Sequence, residues 1–505
     1  QPVTHVREQV AIDRRRWRTM FVVVMLLGLG LSGMAWSTAP EGTAIAFAVL
    51  VATMVTSFVH PFVGVYVIVF VTLVGDSDTM PWWPFTKNLS SRESILFVSD
   101  SLPINPMEIL LIAAFGSFLL QRLEDPTWRF KRGGLFIPLV VFTGFVVFGF
   151  LRGVSGGGDR RVAIFESRAM FYLFVVYLLV TNLLTSRRQY QRLVLLALVA
   201  VSINSLFALS FYFDLSPDER ETLEGLAQHT AAIHMNVLFV FILTMLLLKG
   251  SRLVTAGAIV LALPVFFAYF LSQRRSAIVA LVIGVIVLMA VVYFKRRRAF
   301  WFFTPTAVVL GVGFLAATWN ARGALGLASS AVKSIIAPDD LAEAERNSNV
   351  YREIEAFDLN FTIQQSPLTG QGFGRKFLMP SPLPDISFFE FWEYIPHNSV
   401  LYVWIKTGFL GFVAFLFLFA RALQLGGRSA LLVKQRDQAT IVLAGLIYVA
   451  MFLVFSYVDI AWDVRSTVFL AVSFALCADY LHLPDVTPGR FSGIGHHRRP
   501  DMVQA

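Results

Sequence analysis

The stretch Tyr394-Ile395-Pro396-His397-Asn398 closes the longest hydrophilic segment of the chain and drops straight into the apolar run 399–421. A run of that length is close to the ~20 residues that a helix needs to cross a ~30 Å hydrocarbon core. It therefore reads as a membrane helix with a histidine at its mouth. Upstream in the same segment stand Tyr351-Arg352-Glu353-Ile354-Glu355 and Ser366-Pro367-Leu368-Thr369-Gly370-Gln371-Gly372-Phe373-Gly374; Gly408 and Gly411 follow inside the apolar run.

The pattern of that junction recurs along the chain. Of 505 residues, 56% are hydrophobic and 15% charged, with a mean hydropathy of +0.67. Soluble domains carry about a quarter charged residues, so this composition belongs to an integral membrane protein. Long apolar runs without strand-type alternation exclude a barrel and predict helical spans. Candidate spans lie at 20–37, 43–59, 62–75, 106–121, 135–151, 169–185, 191–212, 231–249, 252–272, 276–294, 299–319, 399–421, 438–458 and 464–483. The length rule thus gives about 14. Runs 43–59 and 62–75 break at His60-Pro61 and read either as two spans or as one re-entrant pair. The predicted organisation is a bundle over 1–319, a large loop over 320–398, further spans over 399–483 and a tail over 484–505. Arg14-Arg15-Arg16-Trp17-Arg18 precedes the first run, which reads as an anchor rather than a removed signal peptide. The sole cysteine, Cys477, cannot staple the loop by itself.

Charge assigns the sides. With the N-terminus inside, the loops 121–134, 186–192, 249–252, 295–298 and 421–436 and the tail with Arg490, Arg498 and Arg499 are all basic, as cytoplasmic loops should be. Segments 76–105, 152–168, 213–230, 272–275, 320–398 and 459–463 then fall outside. The net charge of +9, from 42 basic and 33 acidic residues, is mostly this bias and does not imply nucleic-acid binding.

Candidate sites sit in the outside loops. Pro81-Trp82-Trp83-Pro84-Phe85 suits anchoring in the headgroup layer. Gly156-Gly157-Gly158, ringed by Arg152, Arg160, Arg161 and Arg168, either is a flexible loop or turns backbone N–H groups toward a phosphate; Arg168 is the best placed of the four for an anion. Ser272-Gln273-Arg274-Arg275 keeps two arginines where positive charge is disfavoured. Arg275 opens a helix whose free N–H groups also attract anions, so it either grips a lipid diphosphate or snorkels to lipid headgroups. Spacings of three and four through Tyr351, Ile354, Phe357 and Phe361 predict an amphipathic helix over 349–364, ended by Ser366-Pro367, with Arg352 off the apolar stripe. Gly370, Gly372 and Gly374 either make a tight turn or line a sugar path. Asn398 reads first as a helix N-cap. His397 is either a solvated loop histidine or a general base, a role that an imidazole with an unperturbed pKa of about 6.5 suits. No metal-type histidine motif or Asp-x-Asp is present, and His229 and His234 fall on different helical faces.

The order Arg352, then Pro367-Leu368-Thr369-Gly370-Gln371-Gly372-Phe373-Gly374, then His397-Asn398, then Gly408 and Gly411 resembles the polysaccharide polymerase and O-antigen ligase superfamily. The resemblance implies an all-α polytopic fold of the GT-C-like type, capped by its large periplasmic loop, in a bacterial inner membrane with both termini cytoplasmic. It implies glycosyl transfer on the periplasmic face from a polyprenyl-diphosphate-linked glycan donor to a glycan or lipid-linked hydroxyl acceptor. No metal or other cofactor is called for. His397 would act on the acceptor hydroxyl, and Arg275 and Arg352 on the departing diphosphate. Arg274, Arg168, Tyr351, Asn398, Gly370 and Gly372 would contact substrate. Repeat-unit polymerase is the expected activity. Ligation to a lipid A core is the alternative within the family, and a secondary transporter the alternative outside it. A flippase and a chain-length regulator are the expected partners beside membrane lipids. Lys406 departs from the acidic residue frequent at its position in the family.

Overall fold

The computed structural model describes residues 41–123, 129–222, 225–321, 323–384 and 390–485, and among these the protein is all-helical, without strands. The first expected span, 20–37, and the tail arginines lie outside the described residues. The helices are α1 (Glu41–Val59), α2 (Pro61–Val74), α3 (Pro106–Leu123), α4 (Phe136–Ser155), α5 (Arg160–Leu183), α6 (Arg187–Asp214), α7 (Ala231–Leu248), α8 (Arg252–Leu271), α9 (Arg275–Lys295), α10 (Arg297–Ala317), α11 (Gly323–Ile336), α12 (Glu343–Gln365), α13 (Ser399–Leu432), α14 (Arg436–Val458) and α15 (Val464–Asp479), besides a short turn of helix at Pro217–Thr222. Eleven of the described helices are long and apolar enough to cross a membrane. α1 and α2 fall short because Pro61 lacks the N–H a continuous helix needs and starts a new one after His60.

Three boundaries differ from expectation. α5 begins at Arg160, so Arg168 lies two turns inside a helix and the outside loop shrinks to Gly156–Asp159. Asp159 causes this early start, its carboxylate capping the N–H groups of Arg161 and Val162. α11 is an additional short helix inside 320–398. α12 starts at Glu343 and stops at Gln365, ahead of Pro367.

The inner and outer loops sort into two separate ends of the bundle. At one end Gly134 N–H donates to Asp479, Arg187 N–H to the Pro484 carbonyl, Ser251 N–H to Asp437, and Lys295 Nζ to the Val433 carbonyl. At the other, Arg465 pairs with Asp76 at 2.9 Å, Asp159 N–H donates to the Gly374 carbonyl, and Ser276 to Asp459. The charge rule put the loops of each group on one side, and the fold brings each group together.

The helices α15, α14 and α7 are the most enclosed spans, and α13 packs on both α14 and α15. α10, in contrast, buries none of its residues and leaves Trp301 and Phe302 exposed. An apolar helix surface costs nothing in lipid, so hydropathy marks the span without marking its inner face.

α13 is broken. Gly408 has φ 74 and ψ 179, a backbone essentially confined to glycine. The freed groups are taken up by the glycine-rich loop: Phe409 N–H donates to the Pro367 and Leu368 carbonyls, and the Ile405 carbonyl accepts from Gln371 N–H at 2.7 Å. On its other side the loop meets α4, with Phe373 N–H donating to the Gly149 carbonyl and Arg152 Nε to the Gly370 carbonyl. A Cβ at Gly153 would run into the Phe373 carbonyl, so backbone-to-backbone approach is what these glycines permit.

Candidate active site

His397 and Glu355 define the site. His397 sits one residue before the cap of α13, where the Asn398 side-chain oxygen accepts from Val400 and Leu401 N–H. Pro396 and this cap fix the approach of the chain, and Glu355 fixes the ring. Its carboxylate takes the His397 backbone N–H on both oxygens, at 3.1 and 3.0 Å, and His397 Nδ1 at 3.1 Å. Glu355 is almost fully buried, its side chain 3% exposed. A carboxylate can only accept, so Nδ1 carries a proton and Nε2 is left to accept one.

This pair overturns the expected face of α12. The buried side is Tyr351, Glu355, Asp358, Leu359, Thr362 and Ile363, while Phe357 stays 57% exposed. The two acidic residues turn inward because N–H groups meet them there: His397 on Glu355, and Ser381 N–H on Asp358 at 3.0 Å. Tyr351 lays its ring edge-on to His397 at 5.4 Å, and its buried hydroxyl has no hydrogen-bond partner. Burial, reinforced by the Glu355 and Asp358 carboxylates, pushes that phenol well above its ordinary range, so it stays a neutral wall of the site.

The arginines come from the other side. Arg275, first residue of α9, donates from Nη1 to Ser334 of α11 at 2.7 Å and from Nη2 to the Glu345 carbonyl of α12. Arg352 is half-buried on α12, and its charge reaches both Arg275 and Asp459. Arg274 lies against Gly225, its Nε buried and unbonded, and its charge also reaches Asp459. Three guanidinium groups thus share one neighbourhood, with Asp459 among them.

Asp459 joins the elements of the site. Its carboxylate accepts from Ser276 Oγ at 2.9 Å, next to Arg275, and from Ile460 N–H; its backbone carbonyl accepts from Ser399 Oγ, two residues after His397. His229 Nδ1 lies 2.8 Å from its Oδ1. Burial would raise this carboxyl, but His229, Arg352 and Arg274 hold it well below the usual carboxylate range. The His229 ring stands 6.3 Å from the His397 ring.

Of the residues singled out from sequence, His397, Arg275, Arg352, Arg274 and Tyr351 are brought together. Arg168 is turned elsewhere, donating to Asn88 and the Pro103 carbonyl and lying 3.9 Å from Glu108. Gly370 and Gly372 pack backbone on backbone against α13 and α4, and Asn398 spends its carbonyl on the cap. The N–H groups of Gly156, Gly157 and Gly158 are bonded to carbonyls of α4, which leaves none for a phosphate. Lys406 is buried in α13, 2.7 Å from Glu166 of α5, and donates to the Arg375 carbonyl. That mid-span charge is internally satisfied, so it does not support a transport path. Sequence reasoning missed Glu355, His229 and Asp459. Spacing offered no signal for them, although Glu355 lies four residues after the inward-facing Tyr351. Among the described residues no group of three or more metal-type ligands forms.

Residues 260–416 match the family model described as O-antigen ligase. The matched region takes in Arg275, Arg352, Glu355, the glycine-rich loop and His397, and excludes His229 and Asp459. No curated protein matches the chain.

Proposed function

We propose, from the place of this chain in the O-antigen ligase/polymerase superfamily, that it transfers a glycan from a polyprenyl-diphosphate carrier to a sugar hydroxyl and so joins repeat units on the periplasmic face of the inner membrane. The observation that carries the reading is the meeting of Arg275 and Arg352, far apart in sequence, near His397 on its buried partner Glu355. His397 Nε2 accepts the proton of the acceptor hydroxyl as its oxygen attacks the anomeric carbon, while Glu355 keeps the imidazole in the required tautomer and stabilises it once charged. The anomeric carbon–oxygen bond breaks toward the diphosphate. Arg275 and Arg352, with Arg274 beside them, neutralise the charge that collects there, and the N–H groups at the start of α9 add to the field. Arginine supplies the neutralisation that glycosyl transfer to and from diphosphates requires, with the planar fork suited to phosphate oxygens.

The test is transfer by the purified protein from a lipid-linked donor. His397→Ala should lower turnover by about 10² to 10⁴, the usual worth of general-base assistance, while leaving the protein folded. Turnover near wild type would rule out the base role. The description of the matched family as ligase favours a second reading, in which the acceptor is a lipid A core. Offering the same preparation a lipid-linked repeat unit and a core-lipid acceptor separates the two: product on the first alone marks a polymerase, on the second alone a ligase.

A further inference from the structure

We propose that His229, held by Asp459, is a second catalytic residue of this site and donates from Nε2 to the leaving diphosphate oxygen; the inference rests on the glycosyl-transfer reading above. Two imidazoles stand side by side, 6.3 Å between ring centres, and each has its Nδ1 on a buried carboxylate: His397 on Glu355 at 3.1 Å, His229 on Asp459 at 2.8 Å. The side chains of both carboxylates are at most 3% exposed. Asp459 already accepts Ser276 Oγ–H and Ile460 N–H, so it is an acceptor toward His229 as well, and the His229 Nδ1 carries hydrogen. Nε2 is therefore the working atom, and among the described residues the His229 ring forms no other hydrogen bond. A purely structural histidine would be enclosed. His234, five residues on, is enclosed, with one nitrogen on the Thr230 carbonyl and the other on the Tyr448 hydroxyl. The His229 side chain is instead 39% exposed, with its ring edge-on to His397 at 6.3 Å.

The surroundings assign the role. His397 lies with Glu355 and Tyr351, on the carboxylate-bearing face of α12. His229 lies with Asp459, whose carboxylate is within the electrostatic reach of Arg352 and Arg274, and Arg274 packs on Gly225 in the segment leading to His229. The cationic side of the site is where a diphosphate settles, so His229 faces the leaving group and His397 the acceptor. In the step, the acceptor O–H bond breaks with its proton passing to His397 Nε2, and the acceptor oxygen bonds the anomeric carbon. The bond from that carbon to the diphosphate oxygen breaks, its electron pair staying on oxygen, and protonated His229 gives its Nε2 hydrogen to that oxygen. Paired acid and base on opposite sides of the reacting carbon are what such a displacement uses.

Two substitutions separate this role from mere support of Asp459. Asn at 229 keeps a donor near the position of Nδ1 and loses Nε2; Gln reaches to the position of Nε2. The full-length protein in liposomes is assayed with polyprenyl-diphosphate oligosaccharide as donor, beside a thermal-shift titration with inorganic diphosphate. His229→Asn should lose about 10²-fold or more in turnover and weaken the diphosphate-induced shift, with an unchanged melting midpoint without ligand. His229→Gln should recover part of the diphosphate-induced shift but little of the turnover, because its amide donates a hydrogen bond and gives up no proton. Wild-type turnover in His229→Asn overturns the proposal, and so does equal loss of the shift in both variants accompanied by a lowered midpoint. If His397→Ala is inactive while His229→Asn is not, only this inference falls. If the wild-type protein transfers nothing from the donor, the glycosyl-transfer reading falls and this one with it.

Discussion

At the scale of single residues, the site depends on carboxylates that orient groups rather than react. Glu355 holds three hydrogen bonds from one residue, His397, and is itself buried. Glu355→Gln keeps the shape but turns an obligate acceptor into a group with an N–H₂ end, which cannot accept from both nitrogens. Turnover should fall by about 10²-fold or more, toward the ~10⁴ that loss of the orienting carboxylate costs in a hydrolase triad. The assay is steady-state transfer, and a fall confined to KM would show that the carboxylate only shapes binding. Arg275 and Arg352 offer a second residue-scale test. Lys at either position keeps the charge and loses the fork, so diphosphate binding and turnover should both drop by about 10-fold or more, the loss of about one charge-assisted hydrogen bond. Full activity in both lysine variants would leave the shared anion site without support.

Among the secondary-structure elements, the glycine-rich loop and the broken α13 form one unit. The loop occupies the gap opened at Gly408, supplying carbonyls to Phe409 and an N–H to Ile405, and it reaches α4 through Gly149 and Arg152. Its order is what sets the start of α13 relative to α12, and so His397 relative to Glu355. Gly408→Ala forces a Cβ toward the Leu368 carbonyl from a positive φ. The expected cost is about 1–3 kcal/mol, read as a lower thermal midpoint in detergent. The buried Lys406–Glu166 pair clamps the same unit, since Glu166 also accepts the Gly374 N–H. Lys406→Met strands the carboxylate and should cost about 3–5 kcal/mol. Adding Glu166→Gln should restore much of that, whereas equal instability of the single and double variants would mean that the pair contributes nothing specific.

For the whole molecule, the site lies at one end of the bundle, and the charge rule predicts that this end is the periplasmic one. Ala342 belongs to the same end and Arg297 to the opposite one, both exposed. Cys477 is fully buried, so the native chain gives a low labelling background. With an impermeant thiol reagent applied from the periplasmic side, Ala342→Cys should react and Arg297→Cys should not. The reverse pattern would invert the molecule in the membrane and place the site in the cytoplasm.

The amino-acid sequence determined by itself that the chain is a helical membrane protein, where most spans lie, and which loops share an end. These properties follow from solvation: a peptide group in hydrocarbon must bond locally, and lysine and arginine stay on one side of the bilayer. It also marked His397, Arg275 and Arg352, because a charge or an imidazole at the mouth of an apolar run stands out. It did not decide which side of a helix faces inward. α10 is as apolar as a core helix and buries nothing, since lipid does not penalise apolar surface, and α12 hides Glu355 and Asp358 against its apolar stripe because the N–H groups of His397 and Ser381 meet them there. Only the tertiary structure decided that Glu355 meets His397, that Asp459 and His229 stand beside that pair from segments on either side of the matched region, and that Arg168 and Gly156–Gly158 bond within the scaffold. Such pairings join residues tens to hundreds of positions apart, and helix packing, not local spacing, sets which of them meet.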